Sequence, residues 1–253
     1  MNVGVQVSSF RPILNDEAQV RYAFERMRAM GCDTVQLQWI DFSVAPETIV
    51  SIMEENGITS VSTQDFYEVV REREEYFTQL NHLSGSEWVC VSGVPKEYLS
   101  REGLAQFARD LEAFSKKLKK EGLKLCFHPR CQEFECVEGV EPVSFLMKEL
   151  QEELALCLDL YHVCRAGRSM AEEIQKYAGK VCMVHFKDYL ENESGETLVP
   201  AGQGKIDWTE AIRACLKTNV PYAFVEQERW ERDAFTCIEE AFSWLNGQIC
   251  AQT

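Results

Sequence analysis

LALCLDLYHVCRAG, residues 154–167, decides how this chain is read. An apolar run of strand length stops at Asp159, and His162 follows three residues later. A carboxylate closing such a run must reach water or a partner, because burying it alone is costly. The same pattern recurs downstream, where VCMVH (181–185) ends at His185 and YAFVE (222–226) ends at Glu226. Upstream, KLCFH (124–128) runs into PRCQEF, which carries Glu133 five residues beyond His128.

The alternation extends outward over the whole chain. Strands are expected at Val3–Ser8, Thr34–Gln38, Thr59–Ser62, Trp88–Ser92, Lys124–His128, Ala155–Leu158, Val181–His185 and Tyr222–Glu226. Amphipathic helices are expected between them, at Asn15–Met30, Pro46–Glu55, Glu68–Leu83, Arg101–Glu121, Pro142–Glu152, Ser169–Tyr177, Trp208–Thr218 and Asp233–Asn246. Gly31, Gly57, Gly85 and Gly122 follow the first four, where a helix C-cap prefers glycine. Short strands alternating with helices imply βαβ units and a parallel sheet. Eight units in 253 residues fit a closed α/β barrel, a single (β/α)8 TIM barrel spanning 1–253.

Composition narrows the function. A formal charge of −15 opposes binding to nucleic acid or to an anionic membrane. No apolar stretch reaches the roughly 20 residues needed to span a bilayer, and Met1 leads directly into a strand-like run. A cytoplasmic protein is expected, and self-association into a homo-oligomer is compatible with this. The eleven cysteines form no C-x-x-C pair. Cys90, Cys126, Cys157 and Cys182 lie inside apolar runs, where a thiol acts as a small hydrophobe.

In a parallel barrel the C-terminal strand ends converge on one rim, where such enzymes keep their chemistry. Asp159, His185 and Glu226 would meet there, and acids gathered at one point need a cation between them. The fourth ligand, from the exit of the strand ending at His128, is open among His128, Glu133 and Glu135. An oxygen-rich set with one imidazole favours Mn²⁺ first, with Mg²⁺, Co²⁺ or Zn²⁺ also compatible. Lys187 shares the phase of His185 and can reach a substrate oxygen, whereas Asp188 would face away. Trp39 and Phe66 follow early strands and are expected to line a pocket. Arg11, Arg130, Arg165 and Lys205 are the cations that could hold a phosphate.

At these residues the chain resembles the xylose-isomerase-like TIM-barrel superfamily, the sugar phosphate isomerase/epimerase family. FHPRCQEF (127–134) resembles its Tyr-His-Asn-His-x-x-Glu-Phe segment, with Pro129 and Arg130 replacing Asn and the second His. DLYH (159–162) resembles its Asp-x-x-His segment, HFKD (185–188) its His-x-Lys-Asp signature, and GQGKID (202–207) its Gly-x-Gly-x-Ile-Asp loop. VEQE (225–228) resembles the last strand, and VGVQVSSFR (3–11) the first, with Gln6 facing the mouth.

The resemblance implies one divalent metal ion held by Glu133, Asp159, His185 and Glu226. It implies a carbohydrate substrate contacted by Gln6, Trp39, Phe66, His128, Arg130, His162 and Lys187. The expected reaction is sugar isomerisation or epimerisation through a cis-enediolate, with Glu133 and Glu226 moving the proton on opposite faces. A dehydratase, a subunit of a C-glycoside-cleaving enzyme, or a non-catalytic sugar-binding barrel would carry the same ligands.

Overall fold

The computed structural model describes residues 1–192 and 195–252. In chain order the strands are β1 Asn2–Gln6, β2 Thr34–Leu37, β3 Thr59–Phe66, β4 Trp88–Ser92 and β5 Lys124–His128. They continue with β6 Ala155–Asp159, β7 Val181–Phe186, β8 Asp188–Asn192, β9 Gly195–Val199 and β10 Tyr222–Val225. Eight of these close a barrel in the order β1-β10-β7-β6-β5-β4-β3-β2, and every neighbouring pair is parallel. The expected (β/α)8 TIM barrel is the observed fold.

Helices pack outside, the longest being Arg101–Lys120 and Ala234–Gln252. Their ends carry the local chemistry that starts a helix. Asp16 accepts from the Gln19 amide at 2.9 Å and Ser100 from the Gly103 amide at 2.9 Å, each filling one orphan donor of a first turn. Pro46 and Pro142 open their helices, where the missing N–H costs nothing. Among the described residues, no helix is long and apolar enough to cross a membrane.

Local features depart from expectation: β3 runs on past Ser62 to Phe66, a short helix, Leu160–Arg165, follows β6, and three further differences shape the outside and the first strand. Val7 and Ser8 leave β1 for a 3-10 segment, Val7–Ile13, so the first strand stops at Gln6. The helix expected over 68–83 breaks at Arg73 (φ −119°, ψ 33°) into Tyr67–Glu72 and Glu74–Ser84, and the Arg73 guanidinium lies 4.1 Å from the Phe42 ring centroid. An antiparallel hairpin, β8–β9, is inserted between β7 and the following helix.

Inside the barrel, side chains stack in tiers two residues apart, because alternate strand residues face the same way. One tier holds Cys90, Cys126, Cys157, Met183 and Phe224. Gly4 makes room for it, since a Cβ there would lie 2.7 Å from the Phe224 ring and 2.4 Å from the Thr34 carbonyl oxygen. Burial pushes these thiols up, that of Cys157 to about 12, so they stay protonated and pack as apolar groups. Two residues further along β5, β6, β7 and β10 stand His128, Asp159, His185 and Glu226.

Candidate metal centre

These four side chains converge: His128, Asp159, His185 and Glu226, all buried, each bring one ligand-type atom within 4.8 Å of the others. Each has one polar atom tied to the surrounding protein and another turned inward toward the group. Ser92 Oγ meets His128 Nδ1 at 3.1 Å, and Asp159 Oδ1 accepts the His162 amide at 3.2 Å. His185 Nε2 meets Gln36 Oε1 at 2.6 Å, and Glu226 Oε1 accepts the Ser8 hydroxyl at 3.1 Å. The opposite atoms, His128 Nε2, Asp159 Oδ2, His185 Nδ1 and Glu226 Oε2, are buried and face one another, with His185 Nδ1 3.0 Å from Glu226 Oε2 and His128 Nε2 3.8 Å from Asp159 Oδ2.

Buried polar atoms are normally satisfied, and an imidazole that donates through one nitrogen presents a lone pair at the other. Gln36 Oε1 can only accept, so Nε2 carries the proton of His185 and Nδ1 faces inward with its lone pair. Gln36 is itself held by the Gln6 amide at 3.0 Å and donates to Gln64 Oε1 at 3.0 Å. Two carboxylates and two imidazoles that turn ligand-type atoms toward one point fit a divalent cation.

Charge in the site is dense. Lys187, 2% exposed, places Nζ 3.1 Å from Asp159 Oδ2, 3.1 Å from Glu226 Oε2 and 2.7 Å from Glu228 Oε1. Burial works against ionising Asp159 and Glu226, but the Lys187 charge between them holds both well below the usual carboxylate range. Burial likewise lowers His128, and takes His162, with Nε2 3.7 Å from Asp159 Oδ2, down to about 4. Both imidazoles are therefore neutral near pH 7. Glu228 is raised, first by burial and then by the charge of Glu226.

Glu133, expected as a ligand, lies outside this group of four, and His128, expected to touch substrate, lies within it. The reason is local. His128 is the inward-facing end of β5, whereas Glu133 lies in the 3-10 turn Cys131–Phe134. Its carboxylate accepts the Arg130 amide at 2.7 Å, the Val94 amide at 3.1 Å and Gln132 Nε2 at 2.9 Å.

The other expected contacts sort by depth. Gln6 sits behind Gln36, His162 flanks Asp159, and Trp39 and Phe66 face each other near the mouth with ring centroids 6.2 Å apart. Asp188 turns away from the group and accepts from the amides of Tyr189, Gly202, Gly204 and Ile206 and from Trp208 Nε1. Gln36, Ser8 and Glu228 were not foreseen. Gln36 carried a signal, a glutamine inside the otherwise strand-like TVQLQ. A cavity of about 1090 Å³ on the outer flank, lined by Arg71, Tyr76, His82 and Lys117 among others, lies away from this chemistry.

A closed (β/α)8 barrel with a ligand cluster at its C-terminal mouth defines the class. The family model for the xylose isomerase-like TIM barrel matches residues 24–248, and the chain belongs to that family. A sugar phosphate isomerase/epimerase from Parabacteroides distasonis superposes with a TM-score of 0.81 at 17% identity, covering 96% of this chain and 97% of that one. The probable 3-DHS dehydratase AsbF of Bacillus anthracis gives 0.76 at 13% identity, covering 97% and 99%. The IOLI protein, solved with a bound zinc atom, gives 0.79 at 15% identity, covering 100% and 99%. No curated protein sequence matches the chain.

Proposed function

We propose that this protein is a divalent-metal-dependent sugar isomerase or epimerase that moves a proton at a carbon beside the carbonyl of a ketose, aldose or related keto-sugar. The observation that carries this reading is the convergence of four buried ligand-type atoms on His128, Asp159, His185 and Glu226, all within 4.8 Å of one another. These residues would hold the ion, with Mn²⁺ or, given two imidazoles, Zn²⁺ as the first choices. A bound divalent ion polarises a carbonyl and makes the adjacent C–H more acidic.

The chain's own groups supply the rest. Glu226 turns Oε2 into the group, beside Lys187 Nζ at 3.1 Å, and is assigned as the proton carrier. Lys187 places a fixed positive charge beside Asp159 and Glu226, where an oxygen gaining negative charge is stabilised. Neutral His162 at the rim can exchange a hydrogen bond with a sugar hydroxyl. Glu133, with its oxygens taken up by amides, is assigned to hold the backbone at Val94 and Arg130. Trp39 and Phe66 offer apolar faces to the sugar carbons.

The test is deuterium exchange from D₂O into a panel of ketoses and aldoses with Mn²⁺ or Zn²⁺ supplied, followed by NMR. Label should enter at a carbon next to a carbonyl. Glu226→Gln should lose both metal content and exchange; full exchange with a normal metal load would defeat the assignment. Loss of water from the substrate in place of exchange would convert the reading to a dehydratase on the same centre.

A further inference from the structure

Four cations stood out in the sequence as anion binders, and the structure separates them. Arg165 is neutralised by Glu191 at 3.3 Å and Glu196 at 3.2 Å, and Lys205 by Glu191 at 3.0 Å. Arg11 and Arg130 are different. Among the described residues no carboxylate lies within ion-pair distance of Arg11. Among the described residues the one acid within ion-pair distance of Arg130 is Glu133, at 3.6 Å, and that carboxylate already accepts two backbone amides. Arg130 Nε is buried without a partner.

Each of the two guanidiniums lies on an aromatic ring. Arg11 sits 4.5 Å from the Trp39 ring centroid and Arg130 sits 5.7 Å from that of Phe66. The two rings touch, so Arg11, Trp39, Phe66 and Arg130 form one continuous wall. Two backbone features hold it. Trp39 adopts φ +59°, a left-handed conformation unusual for a bulky side chain. Gly93, at φ +68°, lies flush against Arg130, since a Cβ there would come 2.5 Å from its Nη2. A guanidinium fixed by packing on an aromatic face and a glycine, with donors to spare, is pre-organised for a planar or tetrahedral anion. Arg130 follows His128, the last residue of β5, by two residues, which places it on the C-terminal rim of the barrel with the ligand group.

Resting on the isomerase reading above, we propose that the substrate carries an anionic group, a carboxylate or a phosphate, held by Arg130 with Arg11 across the wall. The reacting carbons would lie over the ligand group, with the anion at the outer end.

The experiment is calorimetric binding to the Mn²⁺-supplied protein of three probes, D-fructose, D-fructose 6-phosphate and 5-keto-D-gluconate. At least one anionic probe should bind about tenfold or more tightly than fructose, as expected for charge-assisted hydrogen bonds. Its identity distinguishes phosphate from carboxylate. Arg130→Gln should collapse that ratio to about threefold or less, and Arg130→Lys should restore part of it. Arg11→Gln, an exposed change that leaves the fold alone, should lower the ratio by a smaller factor. Equal affinities, no binding by any probe, or a ratio that survives both glutamine variants overturns the proposal. Exchange of deuterium into fructose in the same samples reads the isomerase assignment separately. Exchange without anion preference removes only the anion subsite, while anion preference without exchange upholds the subsite and removes only the isomerase reading.

Discussion

Replacing Asp188 by asparagine should destabilise the protein by about 2–6 kcal/mol. Asp188 is fully buried. Its Oδ2 accepts from the Gly202 amide at 3.1 Å, the Gly204 amide at 3.2 Å and Trp208 Nε1 at 2.9 Å. Oδ1 accepts from the Tyr189 amide at 2.8 Å and the Ile206 amide at 3.3 Å. All five partners donate, so an asparagine amide must point its NH₂ at some of them. The less damaging orientation puts NH₂ at Oδ1 and strands two N–H groups, each costing about 1–3 kcal/mol when buried without an acceptor. No relaxation of the loop relieves this easily, because Gly204 is packed so closely that a Cβ there would lie 2.0 Å from Asp188 Oδ1. Urea unfolding of Asp188→Asn, followed by far-UV circular dichroism, should show a lower midpoint at unchanged slope. A loss below about 1 kcal/mol would refute the donor counting, since solvent would then be replacing the carboxylate at no net cost.

Other perturbations address the centre and the pH response. Gln36→Leu removes the acceptor that fixes the His185 tautomer and should weaken Mn²⁺ or Zn²⁺ binding about 10–100-fold in a chelator-competition titration; unchanged affinity would show that His185 needs no such partner. Burial raises the Asp65 carboxyl from 3.8 to about 6, against the hydrogen bonds from Phe66 and Trp39. The folded state therefore holds that proton more tightly than the unfolded chain, and stability falls as pH rises between about 4 and 6, by up to about 3 kcal/mol. Asp65→Asn should abolish this part of the pH dependence of thermal unfolding, and parallel pH profiles for both proteins would contradict it.

The barrel was legible because alternation of short β-branched runs with capped amphipathic helices is a local signal, and all eight barrel strands fall where it places them. The hairpin β8–β9 was harder to see, since YLEN and GETLV are short and polar and bury one face only in part. The helix break at Arg73 has no proline or glycine to announce it. In the site, Asp159, His185 and Glu226 were readable as acids and an imidazole at the ends of apolar runs. The same rule, applied evenly to β5, selects His128, the last residue of that strand. Glu133 was preferred through resemblance to a motif in which the intervening residues differ. What no pattern of residue types conveys is where a carboxylate's lone pairs go, and those of Glu133 go to amides contributed by two different loops. The Gln6–Gln36–Gln64 ladder was invisible for a similar reason, because its members come from three strands far apart in sequence.

The alternation of thiol tier and ligand tier means that the chemistry of this barrel is written in strand phase. On β6, Cys157 and Asp159 face inward while Leu156 and Leu158 face the helices. Adding or removing one residue within that strand would exchange the two sets, sending the acid into the apolar layer and two leucines into the centre. An open sheet could absorb such an error by slipping at its edge, but a closed barrel has no edge, and each strand is clamped by two neighbours. Length variation is therefore confined to the connections, and substitutions in β5, β6, β7 and β10 must respect parity before they respect size.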